Sequence, residues 1–320
     1  MICGDLKAWS CVSLLSRRRL ARRTPMQRLG GSPGAAGFKT FAVFGAGLVG
    51  APIVRALHAR GATVIAVIRP GTAHQALPLP AQVPVFERAC TEAYEIGQLL
   101  RENSVEVVIS TLSAANVDSQ NCLAETAREA GARLFVPSEF GIVSEGVTDF
   151  VAVIEHLKSC DIPYARFYVG FFMETIPAMM GLSVNRKINV VGCGNMPCSF
   201  TASEDVAGFV AHVLTTLPPS ELHNKTFRLQ GDRSTLSDLA ILFDTDLNFV
   251  NMVPGPMGEV WTRMQLAAES GMASTGWDLG KCDEGKDCAG CTNKLWPGHE
   301  WKTIVKFFKL KGSKYAVAGG

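Results

Sequence analysis

The chain predicts a doubly wound α/β fold, with a parallel sheet carrying helices on both faces and a smaller, irregular carboxyl-terminal region. Three observations carry that reading. From residue 40 to about 170, short apolar runs alternate with helical patterns. Runs such as Val105-Glu-Val-Val-Ile109 and Arg133-Leu-Phe-Val136 are β-branched or aromatic, as strands buried on both faces require. A turn of the form Gly-x-Gly-x-x-Gly, made by Gly45, Gly47 and Gly50, joins the first such run to the first helical pattern.

In order, strands are expected at 40–45, 63–68, 83–86, 105–110, 133–137 and 164–169, and helices at 48–60, 91–102, 117–130 and 149–160. In the first helix Ile53, Ala56, Leu57 and Arg60 follow helical spacing, so its start is apolar-faced and its end solvated. Beyond 170 the pattern loosens. Ile188–Val191 and Lys225–Leu229 read as strands. Ser203–Leu214 reads as a helix with Thr201 or Ser203 as cap, and Ser234–Phe243 and Glu300–Phe308 as further helices. Residues 271–299 are Gly-rich and irregular. The expected organisation is an amino-terminal segment 1–39, a nucleotide-binding domain 40–170 and a substrate-covering region 171–310.

Composition narrows the function. A hydrophobic content of 47% with 19% charge is that of a globular protein with a sizeable core. A net charge of +2, with no basic stripe among aromatics, gives no nucleic-acid signature. The uncharged, apolar run Thr40 to Val54 is broken by Gly and Pro and too short for a bilayer, so no membrane association is expected. Ten scattered cysteines suit a reducing compartment, which points to the cytoplasm. Residues 1–39 carry Arg17, Arg18, Arg19, Arg22, Arg23 and Arg28 against the single acid Asp5. That composition fits a mitochondrial presequence, a disordered tail, or translated upstream sequence with a start at Met26.

The glycine turn identifies a Rossmann-like, NAD(P)-binding sheet. Its glycines allow a tight turn and close approach to a pyrophosphate, whose charge meets a helix N-terminus. The binding residues expected there are Gly45, Gly47, Leu48, Val49 and Gly50, with Thr111, Leu112 and Pro137 at the ends of later strands. The second strand ends in Arg69, where an NAD-binding domain usually carries an acid. A guanidinium suits a 2′-phosphate, so the expected cofactor is NADP(H).

The turn, Arg69 and Val136-Pro-Ser-Glu-Phe-Gly141 together resemble the isoflavone reductase-like group of NmrA-type atypical short-chain dehydrogenases. Ile162-Pro-Tyr-Ala-Arg-Phe-Tyr-Val-Gly-Phe-Phe172, Ser274-Thr-Gly-Trp-Asp278 and Leu295-Trp-Pro-Gly-His299 are similar to fungal members. The resemblance spans residues 40 to about 305. It implies an oxidoreductase that uses NADPH to reduce small aromatic or polyketide-like molecules within specialised (secondary) metabolism. The alternative is an NADP(H)-binding regulator without turnover.

The resemblance breaks at one position. The family's catalytic lysine lies in the helix after Pro-Ser-Glu-Phe-Gly, and counting back from Pro163 places Phe150 there. No lysine occurs between Lys39 and Lys158. The segment Ser144–Val153 also looks shortened. The catalytic residue is therefore unassigned: His156 and Tyr168 are the side chains able to substitute, each with a plain structural alternative. No metal is expected. Cys282, Cys288, Cys291 and His299 have some look of a zinc set, but the first spacing is wide and an exposed polar loop explains them better. Of the cluster Phe167, Phe171, Phe172, Met173, Met179 and Met180, core is expected, with Phe171 or Phe172 the pocket candidates.

Overall fold

The computed structural model describes residues 37–72, 78–112, 117–145, 148–285 and 288–310, so the readings of 1–36 lie outside the described residues. The first half alternates as the pattern requires: β1 (Thr40–Phe44), α1 (Gly50–Ala59), β2 (Thr63–Ile68), β3 (Val85–Glu87), α2 (Ala93–Glu102), β4 (Val107–Ser110), α3 (Val117–Glu129), β5 (Leu134–Val136), α4 (Thr148–Ser159) and β6 (Ala165–Tyr168). The five strands β3-β2-β1-β4-β5 form one parallel sheet in that order. Phe135 bridges to Tyr164, in parallel, and its N–H donates to Pro163 at 2.8 Å, so β6 continues the sheet.

Strand alternation sorts the core into two layers. Phe41 and Val43 of β1, Val64 and Ala66 of β2, and Val107 and Ile109 of β4 face one layer with Ile53, Val54 and Leu57 of α1. Ala42, Phe44, Ile65, Val67 and Val108 face the other, with Ile96, Leu123 and Leu157 from α2, α3 and α4. Each large aliphatic side chain so buried contributes about 1.5–3 kcal/mol.

The second half adds β7 (Phe171–Phe172), α5 (Ile176–Met179), α6 (Leu182–Asn185), β8 (Ile188–Val190), β9 (Pro197–Thr201), α7 (Ser203–Thr216), α8 (Pro219–Leu222) and β10 (Lys225–Arg228). Then come β11 (Asp232–Thr235), α9 (Asp238–Leu242), β12 (Leu247–Phe249), α10 (Gly258–Glu269), β13 (Trp277–Asp278), β14 (Asp283–Glu284) and α11 (Ile304–Phe308). β10 pairs in parallel with β6. α7 packs on α1, its Phe209, Val210 and Val213 entering the same layer as Ile53 and Leu57. β7, β8 and β9 with α5, α10 and α11 enclose a separate core around Phe171, Met179 and Phe200.

Three readings of the second half need correction. Ser234 and Thr235 lie in β11, laddered antiparallel to Cys198 and Pro197, and only Asp238–Leu242 is helical. The last helix starts at Ile304, not Glu300, because remote acids hold its approach extended. Asp205 takes the Lys302 N–H and Asp232 the Ile304 N–H, each at 2.8 Å. Neither Thr201 nor Ser203 caps α7; the Glu174 carboxylate accepts the Ser203 N–H and O–H at 2.9 and 2.7 Å. β9 and α10 had no counterpart in the sequence reading.

Candidate active site

At the carboxyl ends of β1, β2 and β4 lies a cleft of about 460 Å³ bordered by Gly45, Gly47, Arg69, Arg88, Thr111 and Leu112. Gly45 has φ +104, and a Cβ there would meet Thr111 Oγ1 at 2.5 Å. At Gly50 a Cβ would sit 2.1 Å from the Gly45 carbonyl oxygen. These two glycines are required by packing. Gly47 differs: a Cβ there meets nothing within 4 Å, so its bareness serves the cleft. Leu48 is exposed and Val49 half-buried at the start of α1, where no side chain caps the helix; Ala51 donates to the Gly47 carbonyl at 3.1 Å and Pro52 has no N–H, so the donors toward a ligand are the backbone N–H groups of the turn itself. Thr111 donates from both its N–H and its hydroxyl to the Phe44 carbonyl, fixing the β4 end against the turn.

Arg69 is exposed at the end of β2. The turn behind it is pinned by Thr72, whose hydroxyl donates to the Arg69 carbonyl at 2.6 Å, and by Glu87, which accepts the Gly71 N–H at 2.8 Å. The sequence reading missed Arg88. It follows β3, the next strand of the sheet, so a second guanidinium stands at the neighbouring strand end. Parallel order of β2 and β3 was the signal that would have found it. Cys90 also borders the cleft; burial pushes its thiol up to about 11, with Cys122 adding and Arg69 opposing. A bare position at 47, an uncapped helix start and paired guanidiniums fit a phosphorylated dinucleotide.

Past β5 the surface changes character. Pro137 is buried, and Ser138 is tied back by its N–H to Gln120 at 2.8 Å and its hydroxyl to the Leu112 carbonyl at 2.6 Å. Glu139 points the other way, 4% exposed, accepting from Arg166 Nε at 2.8 Å and from the Ser144 hydroxyl at 2.9 Å. Arg166 also donates to the Tyr168 hydroxyl, and its guanidinium lies 4.9 Å from that ring's centre. Arg228 covers the same ring at 5.3 Å and reaches Glu145 at 3.5 Å. Burial pushes the Glu139 carboxyl and the Tyr168 phenol up, against the pull of Arg166 on both. A second cavity of about 430 Å³ opens beside this network, bordered by Glu145, Arg228, Trp277, Asp278 and Lys281.

The structure does not bring the weighed proton donors to the first cleft. Tyr168 is fully buried. His156 Nε2 faces Glu125 Oε1 at 3.1 Å, between α3 and α4. Phe150 sits half-buried in the first turn of α4. Phe167, Met173, Met179 and Met180 are core, as is Phe171, its ring tilted against that of Phe200; Phe172 is partly buried against the main core. Cys282 Sγ turns to the Leu279 carbonyl and His299 stacks on Trp296 at 3.7 Å, so this pair does not converge.

A family model describing NmrA-like proteins matches residues 38–308. The chain belongs to the NmrA-like family. Among curated relatives, it is 27% identical over 210 residues to an asnovolin J 5′,6′-dehydrogenase of Aspergillus novofumigatus, covering 58% of this chain and 62% of that protein. It is 28% identical over 160 residues to pinoresinol reductase 1 of Arabidopsis thaliana, covering 43% of this chain and 50% of the relative. The matches thus span about half to three-fifths of the relatives' length. The leucoanthocyanidin reductase–NADPH complex from Vitis vinifera shares the fold, with a TM-score of 0.65 at 18% identity over 84% of this chain and 98% of that one. Among the described residues no helix is long and apolar enough to cross a membrane.

Proposed function

We propose that this NmrA-like chain binds NADP(H) in the first cleft and reduces a small aromatic or polyketide-like molecule at the carboxyl ends of β5, β6 and β10. Residues 171–310 would cover that substrate. The observation that carries the reading is the uncapped glycine turn facing two guanidiniums, Arg69 and Arg88, at adjacent strand ends. Gly45, Gly47, Leu48, Val49 and Gly50 would hold the pyrophosphate against the start of α1, and Arg69 the 2′-phosphate. Thr111, Leu112 and Pro137 would border the nicotinamide half. Bound NADPH supplies a hydride. The curated relatives, a dehydrogenase and a reductase by name, support this class of reaction.

The same geometry favours an acceptor that takes its proton from water, since Phe150 cannot donate and Tyr168 is held inside by Arg166 and Ser144. Phe150 is also the observation that favours the second reading, an NADP(H)-binding regulator without turnover. The test is a pair of binding titrations followed by a screen of aromatic acceptors. NADPH should bind at least about tenfold more tightly than NADH, and Arg69→Ala should erase that preference. Equal affinities in the unmutated protein would sink the cofactor assignment. Tight NADPH binding with no oxidation by any acceptor would favour the regulator, whereas rapid oxidation would remove it.

A further inference from the structure

We propose that Glu125, His156 and Cys160 form a zinc site where α3 meets the end of α4. His156 and Cys160 are four residues apart, one turn along a single face. Cys160 follows the last residue of α4, its N–H donating to the His156 carbonyl at 2.9 Å. Glu125 reaches them from α3. His156 Nε2 lies 3.4 Å from Cys160 Sγ and 3.1 Å from Glu125 Oε1, and the three ligand atoms all fall within 4.8 Å of one another.

Two features set this trio apart from a surface ion pair. The sulfur and the carboxylate meet the same imidazole nitrogen. In a neutral ring that nitrogen either donates or accepts, so it cannot take the thiol proton and serve the carboxylate together. A cation accepting a lone pair from each atom would use all three at once: the S–H bond of Cys160 breaks, the metal–sulfur bond forms, and the proton passes to solvent. The framework is also rigid, because Leu123, Ala124 and Ala127 of α3 share one buried core with Val153 and Leu157 of α4. Ligands mounted on packed helices need little rearrangement.

Thiolate, imidazole and carboxylate together suit zinc better than magnesium or calcium, and three protein ligands leave one position for water. The site lies away from the cofactor cleft. α4 starts after β5 and ends before β6, so its last turn is near the amino edge of the sheet. Zinc here would staple α3 to α4, the helix that carries Phe150, without entering the hydride chemistry. The expectation of no metal weighed Cys282, Cys288, Cys291 and His299; the trio escapes sequence reading because Glu125 stands 31 residues before His156.

The experiment is a cobalt(II) titration of the full-length, reduced and chelator-stripped protein, followed by zinc competition. A sulfur-to-cobalt charge-transfer band should appear in the near-ultraviolet and fall as zinc displaces cobalt. Cys160→Ser should abolish the band, while joint replacement of Cys282, Cys288 and Cys291 by serine should keep it. His156→Ala, which leaves the thiol intact, should lower zinc affinity by about tenfold or more. Zinc should raise the melting temperature of the unmutated protein and leave that of His156→Ala in place. No band in the unmutated protein, a band that survives Cys160→Ser, or equal zinc affinity in His156→Ala would overturn the proposal.

Discussion

The two sides of the sheet's carboxyl edge are built on different principles. Around β1, β2 and β4 the surface is backbone: a glycine turn, a helix start without a side-chain cap and strand ends, with two guanidiniums beyond them. Around β5, β6 and β10 it is a charged network assembled from Glu139, Ser144, Arg166, Tyr168 and Arg228, spread over ninety residues of chain. The first side demands few side chains, set at the ends of successive strands. The second depends on pairs that meet only in the folded state. Damage to the first should therefore appear in binding, and damage to the second in stability.

The largest effect is expected at Arg166. Its removal leaves the Glu139 carboxylate, 4% exposed, without its cation. Breaking such a buried pair costs about 3–5 kcal/mol. Arg166→Met should lose that much in urea unfolding, and adding Glu139→Gln should recover a large part. The pH dependence has a definite sign. Burial raises the Glu139 pKa in the folded protein, so its stabilising contribution is complete below the ordinary carboxylate value of about 4.3 and fades as pH rises through the folded value. Arg166→Met removes a pull in the opposite direction, so the gap between variant and parent should narrow as pH falls. A loss below about 1 kcal/mol would mean that the network is solvated and the contrast between the two sides is false.

The glycines sharpen the same contrast. Gly50→Ala drives a Cβ into the Gly45 carbonyl oxygen and should cost about 1–3 kcal/mol. Gly47→Ala meets nothing in the protein, so it should stay within about 0.5 kcal/mol of the parent while weakening NADPH binding. Gly170→Ala, with φ +70 and a Cβ 2.1 Å from the Ser199 oxygen, should destabilise as Gly50→Ala does. Gly170 lies on the other side, so NADPH affinity of the folded fraction should remain. Equal loss of affinity at 47 and 170 would show that the two sides do not act separately.

Legibility in the sequence followed this division. The strands and helices from 40 to 170 were readable because alternation and β-branched runs report burial on both faces, as Phe41 and Val43 on one layer and Ala42 and Phe44 on the other illustrate. The glycine turn was readable because its residues are contiguous, and Arg69 because it follows directly on the second strand. Arg88 required knowledge of strand order. The start of the last helix depended on Asp205, about a hundred residues upstream, taking the Lys302 N–H, which no local pattern announces. β9 opens with Pro197 and carries polar Ser199 and Thr201, both fully buried, so its burial depends on neighbours rather than on composition.

Between the two guanidiniums a smaller difference is expected. Arg69 stands at the end of the strand nearer the glycine turn, while Arg88 already donates to the Glu87 carbonyl at 2.7 Å. Arg69→Ala should therefore cost NADPH affinity about tenfold or more and Arg88→Ala less, with NADH affinity nearly unchanged in both. Isothermal titration of the two variants measures this directly. A larger effect at Arg88 would move the 2′-phosphate to the β3 end.

The mildest test uses Cys90 as a reporter of the cleft itself. Burial raises its thiol to about 11, so near neutral pH only a small fraction is thiolate, the form that reacts. Iodoacetamide labelling of Cys90, read by peptide mass spectrometry, should rise about tenfold per pH unit between pH 7 and 9. Cys193 is exposed on the turn before β9 and offers an internal comparison; it should be modified well before Cys90 at neutral pH. NADPH should suppress Cys90 labelling further and leave Cys193 alone, because only Cys90 borders the cleft. Arg69→Ala should slow Cys90 slightly even without cofactor, since the guanidinium favours the thiolate. If Cys90 reacts as fast as Cys193 at neutral pH, or ignores saturating NADPH, the cofactor lies elsewhere and the backbone-built side has been misread.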